Sequence, residues 1–156
     1  MNESRLMPTK IPVTSMLAFL AVLDLVLSVW AWTMPELWFR VWHGAGYVDP
    51  QALLPRCAAN WTAFFLVQLM ALLRWRREAW WLAVVAGVRL SDVFTDTTCS
   101  LLAGDVTLAA RVLFPLTGAG NLVFALLLLR ADLAIRSPAV AVRESPPESR
   151  LPGGSR

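Results

Sequence analysis

The sequence predicts an all-α integral membrane protein: a four-helix bundle with a short interfacial helix in its first outer loop and a disordered C-terminal tail. Three observations carry that reading. Hydrophobic residues fill 57% of 156 positions and charged ones only 16%, against about 25% charged in an average soluble protein. The apolar residues gather in four stretches of spanning length. Arg and Lys crowd one side of those stretches.

A hydrocarbon core of ~30 Å needs ~20 helical residues. The first stretch runs from about Val13 to Met34, the second from Cys57 to Trp75, the third from Ala79 to Cys99, and the fourth from Val106 to Leu129. Only Arg74 to Glu78 separates the second and third, so they form an antiparallel hairpin. The first stretch is longer than the apolar region of a signal peptide, and no A-x-A-like site follows at Trp32 to Glu36, so it is expected to stay uncleaved. The organisation is then a cytoplasmic segment over residues 1–12, a membrane domain over 13–130, and a tail over 131–156.

Arg5, Lys10, Arg74, Arg76, Arg77, Arg130, Arg136, Arg143, Arg150 and Arg156 fall on one side of the spans. Arg40 and Arg56 fall on the other, with Arg111 just inside the membrane. Positive charge stays inside, so both termini and the Arg-rich turn are expected in the cytoplasm. Trp75, Trp80 and Trp81 would mark the inner interface, and Trp30, Trp32, Trp38, Trp42, Trp61 and Tyr47 the outer one. The net charge of +3 is explained by these flanking residues and points to lipid headgroups rather than nucleic acid. Thirteen of the fourteen basic residues are Arg, and Ala and Leu abound, which suggests a GC-rich bacterial genome; the expected location of the multi-pass chain is the plasma or inner membrane.

In the outer loop, PELWFRVWHG places Leu37 with Val41 and Trp38 with Trp42 at i,i+4. Pro35 suits the start of a short helix in the headgroup plane and Gly44 its end. Asp49-Pro50 would cap the second span, with Pro55 near its start. Past Leu133 the chain is rich in Arg, Ser, Pro, Glu and Gly, a composition that buries too little apolar area to fold.

The third stretch, VVAGVRLSDVFTDTTC, carries Arg89, Asp92 and Asp96 on one helical face. A mid-bilayer charge costs at least ~2.5–3.5 kcal/mol, so these residues should face partners rather than lipid. Counting 1.5 Å per residue puts Asp24 level with Arg89, which predicts an ion pair between the first and third spans. Asp92, Asp96 and Arg111 form a second expected set nearer the outer face. Gln68 and Asn121 lie near the midplane, and Asn60, Thr95 and Thr117 toward the outside. Pro115 should leave the Arg111 carbonyl without its helical donor. Two readings of this interior stand side by side: ion pairs that fix helix register, or a polar cavity that binds a small ligand or relays a proton.

Cys57 and Cys99 lie at similar depths toward the outside, where they could bridge or remain two small buried thiols. A lone histidine, His43, reads as a polar anchor rather than part of a metal or haem site, and no cofactor is expected. Gly118 and Gly120, with Ala83 and Gly87, suit close helix packing rather than phosphate binding.

The MPELW that ends the first span, the Arg of LLPRCAANW opening the second, and the Arg-bearing GVRLSDVFTD resemble the DoxX-like superfamily of small four-helix bacterial membrane proteins. The resemblance covers roughly residues 13–130. It implies an integral helical bundle, some members of which are linked to respiratory or redox partners. The family's acidic and glycine positions do not match clearly enough to carry over site residues.

Three classes of function fit. The first is a structural or assembly subunit that contacts a membrane protein partner or a second copy of itself. The second is a binding protein or membrane enzyme for a small amphiphile such as a quinone or lipid headgroup, with Arg89 and Arg111 holding an anion and Asp92 or Asp96 moving a proton. The third is a small multidrug-type transporter, disfavoured by the strong Arg asymmetry and by an Arg level with the first-span acid.

Overall fold

The computed structural model describes residues 7–49 and 51–143, with side chains over 12–49 and 51–137. Within them the chain forms five helices and no strand: α1 (Met7–Thr33), α2 (Pro35–Trp42), α3 (Leu53–Arg74), α4 (Trp81–Leu102) and α5 (Leu108–Arg143). Three are long and apolar enough to cross a membrane, namely α1, α3 and α5. Helix α4 matches α3 in length but carries Arg89, Asp92 and Asp96.

Each long helix has one inward stripe. On α1 it is Val13, Leu17, Leu20, Asp24, Ser28 and Ala31, at steps of three and four residues. Between these positions Phe19, Val22, Val26 and Val29 are more than half exposed, so the outward face is apolar too. Helix α5 repeats the arrangement, with Ala125, Leu128 and Asp132 inside and Leu116, Val123 and Leu126 outside. A helix apolar all round needs either a protein core or lipid around it.

The long helices pack as two pairs, α1 on α3 and α4 on α5, with sparser contact between the pairs. At the end bearing the α3–α4 turn, Leu17, Leu20, Ala71, Trp75, Leu82, Val85 and Leu128 fill the space between them. At the opposite end a second cluster forms around Ala31, Trp38, Leu54 and Ala58. Ser28 ties the first pair together, its Oγ donating to the Ala58 carbonyl at 3.0 Å and lying 2.7 Å from Thr62 Oγ1.

Helix α2 starts at Pro35, as the sequence suggests, and ends against Gly44, whose φ of +91° few other residues adopt. It does not lie loose at the bundle's edge. Trp38 is buried between Trp30 and Trp61, with ring centroids 5.0 Å away on each side. Its C-terminal carbonyls are claimed by Thr107, whose backbone N–H donates to Trp42 O at 3.0 Å and whose Oγ1 donates to Val41 O at 2.6 Å. The same hydroxyl accepts the Ala110 N–H, so one residue caps α5 and pins α2.

Several boundaries differ from expectation. Helix α3 begins at Leu53, a turn before Cys57, because the Asp49 carboxylate accepts the N–H groups of Leu53 and Leu54 at 3.0 and 2.9 Å. Helix α1 starts at Met7, inside the expected N-terminal segment. Helix α5 continues through Arg143 instead of giving way to a tail at 131. The continuation is Ala-, Leu- and Arg-rich, and Asp132 packs inward while bound to Arg136 Nε at 2.8 Å, an i,i+4 pair. The rest of the expected tail, 144–156, lies outside the described residues. Trp75, read as an interface marker, is buried in the core.

Candidate functional site

The polar residues meet in one layer between the two apolar clusters. Asp24 on α1 accepts from Arg89 Nη2 on α4 at 2.5 Å and from Gln68 Nε2 on α3. Arg89 Nη1 lies 3.2 Å from Asp92 Oδ2 and 3.3 Å from Asn121 Oδ1 on α5. The amide of Asn121 then donates from Nδ2 to Asp96 Oδ2 at 3.2 Å. All four long helices contribute, and Asp24, Gln68 and Arg89 are almost completely buried.

The expected Asp24–Arg89 pair is therefore made, and Gln68, Asp92, Asp96 and Asn121 join it. Arg111 does not. It stands in the first turn of α5, ten residues or about 15 Å along the axis from Asn121. Its guanidinium is exposed and donates to the Gly104 carbonyl at 3.3 Å, tying down the α4–α5 loop. The network thus sets three carboxylates against a single guanidinium.

Close helix approach at this layer depends on Gly118, where a Cβ would sit 3.3 Å from the Cβ of Asp96. Gly87 and Gly120 are different, since a Cβ there would meet nothing within 4 Å. Of the two readings left open for Cys57 and Cys99, the bridge is not formed; both are free thiols. Cys57 is exposed on α3, and α3 packs on α4 far more lightly than on α1. Asn60 is likewise exposed, away from the network.

Above the network, toward α2, lies a cavity of about 340 Å³. Its floor is Asp24, Arg89, Asp92, Asp96 and Asn121, with Thr95, Thr117 and Gly120 beside them. Its walls are Phe19, Leu23, Leu27, Phe114 and Phe124, with Trp38, Trp42, Trp61 and His43 also lining it. The volume falls within the ~300–1,000 Å³ of small-molecule sites, which combine apolar walls with a few convergent polar groups. Two donors among the lining residues, Arg89 Nε and Trp42 Nε1, are buried without a partner. His43 stacks on Tyr47 at 4.1 Å, its Nδ1 3.2 Å from the Asp105 carbonyl.

The tryptophans also line the cavity, a placement that sequence reasoning missed. Trp38, Trp42 and Trp61 read as interface anchors, yet they turn inward and form the cavity's aromatic wall. The i,i+4 spacing of Trp38 and Trp42 was the available signal, since it puts both rings on the face that α2 lays on the bundle.

No protein-family model matches the chain, and neither a curated protein nor a solved structure is significantly similar to it.

Proposed function

We propose that the chain is a four-span membrane protein, with both termini cytoplasmic, that binds a small amphiphile in the central cavity. Charge on α4 supports a fourth span rather than opposing it, because Arg89, Asp92 and Asp96 turn toward the network and leave Phe94, Leu101 and Leu102 outside. The Arg-rich α3–α4 turn supports the orientation. The four-span layout also fits the DoxX-like bundles.

One observation carries the binding reading: the polar layer has a cavity on its α2 side instead of closing on itself. Labour in that layer is divided. Asp24, Gln68 and the Arg89 head hold the two helix pairs together, while Asp92 and Asp96 are less buried and border the space. Three carboxylates facing one guanidinium favour a ligand whose polar end brings N–H donors or positive charge, with its apolar body against the tryptophans. A quinone, which offers acceptors, fits this surplus less well, and without Arg111 the cavity lacks the second cation of an anion-holding enzyme.

The test uses benzyltrimethylammonium and its neutral isostere neopentylbenzene, with quenching of tryptophan emission in the purified protein as readout. The cation should bind more tightly than the isostere. The double variant Asp92→Asn/Asp96→Asn should keep its helical content and lose that preference. Equal binding of both probes, or undiminished preference in the double variant, rejects the reading.

A further inference from the structure

A second cavity, of about 520 Å³, lies at the other end of the molecule between α1, the end of α3 and the later turns of α5. Met16, Leu127 and Ile135 give it apolar walls, and Arg76, in the α3–α4 turn, and Arg130, on α5, stand at it. Among the described residues neither guanidinium has a carboxylate partner, although Glu78 and Asp132 nearby are engaged by Arg74 and Arg136. Arg76 instead lies over the Trp75 ring, 5.7 Å from its centroid. Trp75 also lines the groove, is 4% exposed, and carries a buried indole N–H with no acceptor.

Two guanidiniums without carboxylate partners beside a long apolar trough are complementary to one kind of molecule. It must present a phosphate-like anion, accept from several donors, and carry a hydrocarbon chain. We infer that this groove is a binding site for an anionic phospholipid, its phosphate held by Arg76 and Arg130 and an acyl chain lying against Met16, Leu127 and Ile135. Basic pockets at the cytoplasmic ends of membrane helices take lipid headgroups in this way. The inference rests on the membrane reading above but not on the central cavity.

The full chain is reconstituted into vesicles of phosphatidylcholine with and without phosphatidylglycerol, and lipid retained after detergent extraction is quantified by native mass spectrometry. The wild type should retain phosphatidylglycerol in preference to phosphatidylcholine. Arg76→Gln and Arg130→Gln should each weaken retention about tenfold, the loss of one charge-assisted hydrogen bond. Arg77→Gln, on the same turn but outside the groove, should leave it unchanged.

Equal losses in Arg77→Gln would mean diffuse surface charge and overturn the site. Absence of headgroup preference would do the same. If glycerol 3-phosphate alone competes as well as the lipid at equal concentration, the occupant is a free phosphate ester and the lipid assignment falls. Failure of the chain to float with vesicles of either composition would defeat the membrane reading itself, an outcome separate from the others.

Discussion

Arg89 Nη2 meets Asp24 Oδ2 at 2.5 Å across the seam between the α1–α3 and α4–α5 pairs. The contact does what backbone packing does not do there, since the two pairs approach each other only sparsely. Removing the guanidinium leaves Asp24, Asp92 and Asp96 together without a counter-charge, whereas removing the Asp24 charge leaves Arg89 its partners Asp92 and Asn121. Arg89→Met should therefore cost about 3–5 kcal/mol, the range for breaking a buried pair. Asp24→Asn should cost less, about 1–3 kcal/mol, because its amide can still accept from Gln68 and Arg89. Unfolding of the two variants in the same detergent checks the order; equal losses would show that Asp24 alone neutralises the arginine.

Trp38 anchors α2 over the cavity, in contact with Trp30, Trp42 and Trp61. Trp38→Ala should cost about 3–5 kcal/mol in local packing, as large aromatic deletions in cores do. Hydrogen exchange should quicken over residues 35–42 while the amides of α4 stay protected. Unchanged exchange in α2 would mean that the Thr107 bonds hold the helix by themselves.

Thr107 is the other fastening. Its hydroxyl both caps α5 and donates to Val41, so Thr107→Ala should cost about 1–2 kcal/mol and Thr107→Ser much less. The Ala and Ser variants differ only if the hydroxyl matters; equal melting temperatures would show that the backbone bond to Trp42 suffices.

The parts of this architecture legible in the sequence were those set by periodicity and depth. Stripe spacing placed Arg89, Asp92 and Asp96 on one face, and a rise of 1.5 Å per residue put Asp24 opposite Arg89. Depth counting misled at Arg111, because its side chain turned back to a loop carbonyl that no periodicity describes. Composition left the inward packing of the tryptophans open, because their amphipathic rings suit an interface and an aromatic cavity wall equally well. A polar cavity was legible only as one of two readings, and its size and aromatic lining not at all, since they depend on how far two helix pairs stand apart, and a single sequence does not encode that separation in any local pattern.

Ala52 holds a left-handed backbone, φ +49°, immediately before α3. That conformation costs an L side chain roughly 1–2 kcal/mol, which glycine avoids while losing more freedom on folding. Ala52→Gly should leave stability unchanged or raise it by up to about 1 kcal/mol. A lower melting temperature would indicate that the Ala52 methyl makes a contact worth more than the strain.

Asp49 supplies the cap that Ala52 lacks. The N–H of Leu54, then that of Leu53, hold its carboxyl below the ordinary range, because both bonds favour the ionised form. A depressed carboxylate contributes stability that is fully present above its unfolded value of about 3.9 and disappears as pH falls through the folded value. The start of α3 should thus stay closed at pH 5 and begin to fray below pH ~4, with faster exchange at Leu53 and Leu54. Asp49→Asn retains one acceptor and should abolish the pH dependence while fraying modestly at every pH. Carbon-detected titration of Asp49 gives the direct check: a midpoint at or above the ordinary aspartate value would mean that these bonds do not persist in solution.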